Sequence, residues 1–173
     1  MNSTSIIRTI TPEEWDTYKH LRLKALADSP DAFARTLAEE QGRSDAEWYD
    51  RLAKAANSRW NLPLMAEIDG RPVGLAWGRI EQSNPDLANL YQMWVAPDSR
   101  CHGIGQMLLE AVITWAKQMN ASYLDLGVTC RDSSAMRLYQ RLGFEPVGQP
   151  HPLRPGSELL CQDMRFKLKS NTG

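Results

Sequence analysis

Residues 90–119 read LYQMWVAPDSRCHGIGQMLLEAVITWAKQM, a stretch that combines three patterns. Its first six residues are mostly apolar or aromatic, as in a largely buried strand, and Pro97 and Asp98 then provide turn chemistry. The apolar side chains that follow recur at helical spacing and would share one helix face: Ile104, Met107, Leu108, Ala111, Val112, Trp115, Ala116 and Met119. The stretch therefore predicts a strand, a turn and an amphipathic helix in succession.

The turn between this strand and helix, residues 100–105, reads RCHGIG. Glycines let the backbone approach a ligand closely, and the unpaired N–H groups and positive dipole end of a helix favour an anion. A phosphate is the simplest such anion. The dinucleotide fingerprint does not fit, because Leu108 stands where its third glycine would be. A P-loop does not fit either, because no Lys-Ser/Thr pair follows the glycines.

Two longer patterns resemble the signatures of one known family. The first resembles the acetyl-CoA-binding motif of the GCN5-related N-acetyltransferase (GNAT) superfamily and reads Val95-x-Pro97-x-x-Arg100-x-x-Gly103-x-Gly105. The second resembles the other signature of that superfamily and reads Asp132-x-x-Ala135-x-x-Leu138-Tyr139-x-x-x-Gly143-Phe144. Family members usually carry Asn at the position of Asp132. A helix cap is therefore the first expectation for Asp132, and a contact with the cofactor is the alternative.

Other parts of the chain carry further helix signals. Residues 11–14 (TPEE) and 44–47 (SDAE) are capping boxes, and each precedes apolar residues on one helix face. Gly143 is expected to end the helix of the second signature. The residues expected to be buried in the two capped helices are Trp15, Tyr18, Leu21 and Ala25 in the first and Trp48, Leu52 and Ala55 in the second.

Strand signals occupy much of the remaining sequence. Asp69 and Gly70 favour a type I′ turn and so a hairpin. The strand-helix-strand order around the central helix implies a right-handed crossover and parallel pairing. The predicted strands are residues 6–10, 62–68, 72–81, the run ending at Val95, 122–128, 144–147 and 158–168. The resemblance implies an α/β (α+β) GNAT fold: a mixed, mostly antiparallel sheet of about seven strands with a central parallel pair, flanked by about four helices.

Composition limits the classes of function. At 173 residues the chain suits one domain, residues 1–173. A formal net charge of −1 argues against a generally basic nucleic-acid-binding surface. The sequence has no signal-like N-terminus and no apolar run of bilayer length, so no membrane partner is expected. Cys101, Cys130 and Cys161 are an odd number without metal-type spacing, and neither a disulfide framework nor a metal is expected. A reducing, cytoplasmic location is therefore expected.

The resemblance implies acetyl-CoA as cosubstrate and direct transfer of its acetyl group to an amine in a ternary complex. Tyr139 matches the general acid of the family, and a backbone N–H of Trp94 or Val95 matches its oxyanion donor. Arg131 or Arg137 could reach a further phosphate, with surface ion pairing as the alternative. The residues expected to contact the cofactor are Met93, Trp94, Val95, Arg100, Cys101, His102, Gly103, Ile104, Gly105, Gln106, Asp132, Ser134 and Tyr139.

The residue that deprotonates the acceptor amine is the least defined part of the site. Some family members place Glu in the strand that ends at Val95, but Asn89 stands at about that position. Glu81 is the first-ranked base, and Asp86, Tyr91 or solvent are the alternatives.

The acceptor is expected to be a small-molecule amine. A peptide or protein amine and a non-catalytic acyl-CoA sensor are the alternative functions. A homodimer is compatible with an exposed strand edge or apolar helix face. The residues that could border the acceptor, each with an ordinary core or surface role as the competing interpretation, are Asp28, Asp31, Phe33, Glu39, Glu40, Trp48, Trp77, His151 and Arg154.

Overall fold

The structure is a computed structural model that describes residues 3–169. Its strands are β1 (Ser5–Thr9), β2 (Asn61–Ile68), β3 (Arg71–Ile80), β4 (Leu87–Val95), β5 (Tyr123–Thr129), β6 (Glu145–Pro146), β7 (His151–Pro152) and β8 (Leu160–Lys167). Its α-helices are α1 (Trp15–Asp28), α2 (Leu37–Gln41), α3 (Asp45–Ala56), α4 (Ile104–Gln118) and α5 (Ser134–Leu142).

The strands of the described range form one eight-stranded sheet in the order β1-β2-β3-β4-β5-β8-β6, and β7 also pairs with β8. β4 and β5 run parallel, as the α4 crossover requires, and the other pairs run antiparallel. This confirms the expected mixed, mostly antiparallel sheet. The described residues form eight strands and five α-helices, against about seven strands and about four helices expected. The additional elements are β7, with two residues, and α2, with five.

Two hydrophobic cores pack on opposite faces of the sheet. Leu64 and Ala66 of β2 belong to the core beneath α4, whereas the intervening Met65 belongs to the core beneath α1 and α3. Successive residues of a strand face opposite sides, so one strand supplies both cores. Trp15 is half-buried. The other residues expected on the two capped helix faces are at most 4% exposed: Tyr18, Leu21, Ala25, Trp48, Leu52 and Ala55.

Local capping follows the sequence closely at three of four sites. The capping box of Thr11 and Glu14 is present, Ser44 is the N-cap of α3 with its Oγ accepting from the N–H of Glu47 at 3.2 Å, and Gly143 ends α5 with a left-handed φ of 108°. The expectation that Asp132 caps α5 is wrong. The helix begins one residue later than expected, so Ser133 is the N-cap and its Oγ accepts a 3.1 Å hydrogen bond from the N–H of Met136. Asp132 is exposed and instead pairs with Arg137 at 2.7 Å.

β4 separates from β5 partway along its length. The parallel pairing ends at Asn89 and Asp125. On its other side β4 carries a bulge opposite residues 75–77 of β3, where Gln92 adopts a left-handed φ of 59°. A bulge bends the strand that contains it. The end of β4 consequently diverges from β5, and its outer edge faces a gap.

The contact between α4 and β3 depends on a glycine, which gives a first prediction. A Cβ on Gly78 would lie 2.8 Å from Cζ3 of Trp115 and 3.3 Å from Cγ1 of Val112. We expect Gly78→Ala to lower the free energy of unfolding by about 1–3 kcal/mol, because overpacking forces the helix or the ring to shift. Urea denaturation measures this change.

Gly42→Ala is the matched control, because its Cβ would meet only backbone oxygens at 3.5 Å or more. Adding Trp115→Leu to Gly78→Ala should recover part of the lost stability, since the smaller side chain relieves the overlap. Fully additive losses in the double variant would contradict the proposed contact.

Candidate active site

A cleft of about 1570 Å³ opens where β4 and β5 separate. Its walls come from the end of β4, the turn before α4, the start of α5, β5, and the segment that joins α1 to α3. Most residues expected in the cofactor and catalytic sites line it together: Met93, Trp94, Val95, Arg100, Cys101, Gly103, Ile104, Gly105, Gln106, Ser134 and Tyr139. His102, Asp132 and Glu81 lie outside this lining.

The turn before α4 has the geometry of an anion site. Cys101 and Gly103 both adopt left-handed φ angles, 67° and 77°. No side chain within residues 3–169 caps the first turn of α4, so its N–H groups stay available to a ligand. A Cβ on Gly105 would lie 3.3–3.4 Å from Leu138 and Met93. Glycine at this position lets α4 approach both α5 and β4.

An ion-pair cluster fixes the end of β4. Asp28 accepts hydrogen bonds from Nη2 of Arg100 at 2.8 Å and from Nε1 of Trp94 at 3.0 Å, and Nε of Arg100 donates to the Val95 carbonyl at 2.9 Å. Partial burial acts to raise the pKa of Asp28, but hydrogen bonds from Trp94, Ser29 and Arg100 outweigh it and hold that pKa below its usual value. Arg100, which was expected to contact the pyrophosphate, therefore also has a structural role, because it joins the end of β4 to Asp28 of α1.

Tyr139 lies on α5 with its ring buried and reaches the cleft. The ring packs on Phe144 with centroids 5.7 Å apart. Burial raises the pKa of Tyr139 above its ordinary value. The phenol is consequently protonated at neutral pH, which is the state that a general acid requires.

The base candidates lie in different surroundings. Glu81 pairs with Arg79 at 2.9 Å and is largely exposed. Asp86, also exposed, accepts a hydrogen bond from Ser122 at 3.4 Å. Tyr91 does line the cleft, and burial raises its pKa. Glu81 as the base stays a prediction.

The acceptor candidates divide into two groups. Phe33, Glu40, Trp77 and His151 line the cleft. Trp48 is fully buried in the core, and Arg154 donates hydrogen bonds to the carbonyls of residues 30, 33 and 34 at 2.7–3.2 Å. Asp28, Asp31 and Glu39 also lie outside the lining.

One side-chain group with metal-ligand character was not expected. The ligand atoms of His151, Cys161 and Asp163 lie within 4.8 Å of one another, and Nε2 of His151 is 3.2 Å from Asp163. A hydrogen bond with Asp163 raises the pKa of His151. β7 pairs His151 with Cys161, and Asp163 follows two residues later on β8. The spacing of cysteines along the sequence could not reveal this group, because its members come together only through the pairing of two strands.

A sequence model described as the acetyltransferase (GNAT) family matches residues 12–144. The chain belongs to the GNAT family. The matched range contains the anion turn, the end of β4 and Tyr139. Among residues 3–169, no helix of this GNAT protein combines the length and the apolar character that crossing a membrane requires.

Two proteins of similar sequence carry names of acetyltransferases. An uncharacterised N-acetyltransferase of Methanocaldococcus jannaschii is 28% identical over 149 residues, which cover 82% of this chain and 61% of the relative. A mycothiol acetyltransferase of Kocuria rhizophila is 30% identical over 130 residues, which cover 73% of this chain and 41% of the relative. This GNAT chain thus matches about half the length of these relatives.

Solved structures share the GNAT fold. A GNAT-family acetyltransferase from Streptococcus pneumoniae superposes with a TM-score of 0.83 at 22% identity, covering 96% of this chain and 100% of that one. The Salmonella typhimurium protein yncA, solved with its cofactor acetyl-CoA, gives a TM-score of 0.78 at 17% identity, covering 98% and 96%. At these identities the similarity establishes the fold, and it confirms the expected GNAT architecture.

The Asp28 cluster gives a second prediction. Because the pKa of Asp28 is lowered by folding, its contribution to stability is present above the ordinary carboxyl pKa and is lost as pH falls through the lowered value. We expect Asp28→Asn to reduce the free energy of unfolding at pH 7 by about 1–3 kcal/mol. The difference from wild type should shrink in strongly acidic buffer, as measured by urea denaturation at each pH.

Asp132→Asn serves as control, because its ion pair with Arg137 is exposed and such pairs contribute about 0–1 kcal/mol. A difference between wild type and Asp28→Asn that stays constant across the acid range would contradict the ionised role of Asp28.

Proposed function

We propose that the chain transfers the acetyl group of acetyl-CoA to a primary amine of a small molecule. The observation that carries the proposal is that one cleft collects the uncapped N-terminus of α4, the unpaired edge of β4 and the buried phenol of Tyr139. Membership of the GNAT family supports acetyl transfer. The single-domain organisation and the cytoplasmic location stay predictions.

In the proposed complex, the pyrophosphate of acetyl-CoA lies at the first turn of α4. Backbone N–H groups of residues 103–106 bind it, and the helix dipole favours its negative charge. Pantetheine lies along the end of β4, where Met93 to Val95 have no strand partner on the β5 side. Its amides replace the missing strand partner, and this fixes the thioester against the turn.

The proposed reaction is direct attack on the thioester. The lone pair of the neutral amine attacks the carbonyl carbon, and a backbone N–H of Trp94 or Val95 stabilises the developing oxyanion. The C–S bond then breaks, and Tyr139 donates a proton to the departing CoA thiolate. The base or water takes the extra proton of the new amide, and Tyr139 regains a proton from solvent. The products are the N-acetylated amine and CoA, and no acyl-enzyme forms.

Several groups could remove the proton from the amine, and Asp86 and Tyr91 stay alternatives to the two protein candidates that follow. Glu81 is the base favoured by the sequence. The His151–Asp163 pair is the candidate favoured by position, because both residues line the cleft and their hydrogen bond orients the imidazole. Water remains a third acceptor of this proton.

Contacts across the acceptor end support a small substrate. Oγ1 of Thr129 donates a 2.5 Å hydrogen bond to the carbonyl of Asp31, and Arg154 donates to the carbonyl of Phe33 at 2.7 Å. These bonds join the end of β5 and the loop before β8 to the segment after α1. A peptide acceptor needs an open groove, whereas this end of the cleft is bridged.

A third prediction tests the cofactor site with two glycines of the same conformation. Gly103 and Gly148 have φ angles of 77° and 73°, and a Cβ on either would meet no atom within 4 Å. Only Gly103 lines the cleft. We expect Gly103→Trp and Gly148→Trp to lose similar stability, since both strain a left-handed residue. Only Gly103→Trp should weaken acetyl-CoA binding, by about tenfold or more, measured by isothermal titration calorimetry.

Equal weakening in both glycine variants would attribute the effect to strain rather than to the anion turn. If wild type itself bound no acetyl-CoA, the proposed function would fail. Tight binding without turnover on any amine would instead favour the acyl-CoA sensor.

A fourth prediction concerns the general acid. We expect Tyr139→Phe to lower kcat about a hundredfold, because the thiolate then leaves without a positioned proton. The affinity for acetyl-CoA should change little, since the ring and its packing on Phe144 remain. Stopped-flow or end-point detection of released CoA measures the rate. Tyr49→Phe, at an exposed tyrosine outside the cleft, is the control, and unchanged kcat in Tyr139→Phe would remove Tyr139 from the mechanism.

A further inference from the structure

Arg22 is a buried cation without a matching partner. It lies on α1, is 3% exposed and lines the cleft. Its Nε and Nη1 atoms are sealed from solvent and have no hydrogen-bond partner among residues 3–169. Burial accordingly lowers the pKa of Arg22. A buried, unpaired charge strongly destabilises a fold, so its presence in a cleft needs a physical reason.

The surroundings of Arg22 do not supply that partner. Its guanidinium carbon lies 4.7 Å from the centre of the Phe33 ring, a contact that leaves the N–H donors unsatisfied. The buried acid of this region, Glu40, is 1% exposed and already engaged. Nitrogens of three other arginines lie 3.2–3.9 Å from its carboxylate: Arg35, Arg43 and Arg51. Glu40 acts on Arg22 only as a nearby charge and is shared by those three cations, so an additional anion beside Arg22 would be favourable.

The arginine cluster connects to the reacting end of β4. Tyr18 lies one helical turn before Arg22, so the two side chains share a face of α1. The Tyr18 hydroxyl accepts a 3.3 Å hydrogen bond from Arg51 and donates a 2.6 Å bond to Oε1 of Gln92. Gln92 forms the bulge of β4, beside the residues proposed to hold the thioester. The unpaired guanidinium and the acetyl group would therefore face the same part of the cleft.

We propose that Arg22 binds the carboxylate of the acetyl acceptor, so that the acceptor is a small primary amine that also carries a carboxylate: an amino acid or an amino-acid derivative. This inference rests on the proposed function and names its substrate class. The planar guanidinium fork matches a carboxylate through two parallel hydrogen bonds. Because Nε and Nη1 are covered, binding requires the Phe33 ring that lies over the guanidinium to shift. The carboxylate would then satisfy donors that the protein leaves unpaired and would direct the amine of the acceptor toward β4.

The test compares matched acceptors in an assay of CoA release. Each set contains an amino acid, its carboxamide and its decarboxylated amine, for apolar, acidic and basic side chains, at a pH where the amine of each is partly neutral. Wild type should use at least one amino acid with a kcat/KM about a hundredfold above that of its two analogues, because loss of the carboxylate leaves Arg22 buried and unpaired.

Arg22→Met should remove this preference. Its kcat/KM for the amino acid should fall about a hundredfold, mainly through KM, while turnover of the carboxamide stays within a few-fold of wild type. Arg22→Lys, which keeps the charge but not the planar fork, should fall between the two. Lys24→Met removes the same charge from an exposed position of α1 outside the cleft and should behave as wild type.

A thermal-unfolding measurement separates binding from a structural role. Arg22→Met should be at least as stable as wild type, since it replaces an unpaired buried charge with an apolar side chain of similar length. The preferred amino acid should raise the Tm of wild type but not of Arg22→Met.

Equal use of amino acids and their analogues by wild type, or equal losses of activity on both in Arg22→Met, would overturn the inference. So would the absence of both turnover and stabilisation with every amino acid while acetyl-CoA still binds. Failure of acetyl-CoA to bind would refute the proposed function instead.

Discussion

The separation of β4 from β5 after Asn89 is the constraint on which the rest of the site depends. A strand that leaves its neighbour exposes unpaired backbone groups, and such an edge needs other contacts to hold its position. Two sets of contacts do so here. Tyr18 binds Gln92 at the bulge, and Asp28 joins Trp94 to Arg100 near the strand end. The open edge is consequently a rigid wall of the cleft, and α4 begins directly behind it.

The parts of the fold that the sequence predicted depend on signals only a few residues long. The glycine turn at residues 100–105, the N-cap at Ser44 and the hairpin turn at Asp69 each fix backbone geometry through nearby atoms. The amphipathic face of α4 is equally local, because one helix turn determines it. Once these elements were known, the right-handed crossover determined the parallel pair. The family resemblance supplied the expected roles of Val95 and Tyr139.

The features that the sequence did not predict depend on contacts between distant segments. Asp132 and Ser133 are both good N-caps, and the choice between them follows from where β5 ends, which no local pattern encodes. The proximity of His151 to Cys161 requires the pairing of β7 with β8. Arg22 stands four residues after Tyr18 and so falls on the face assigned to the core. A charged residue at such a position was the available signal, because arginines are rarely buried without a partner.

The two ends of the cleft offer different groups to a negatively charged ligand. The formal net charge of −1 does not reveal this difference. At the proposed cofactor end, the donors are the neutral N–H groups of the first turn of α4, and the cation there, Arg100, pairs with Asp28.

At the proposed acceptor end, Arg22 is sealed beneath Phe33 and the only buried acid in its described cluster, Glu40, is shared among three other arginines. The fold thus holds an unpaired charge at that end. A ligand that pairs with this charge gains more than one that merely fills the space, because it relieves a penalty already present in the folded chain. Selectivity for an anionic acceptor would then come chiefly from the poor binding of neutral analogues, which leave the guanidinium as it is.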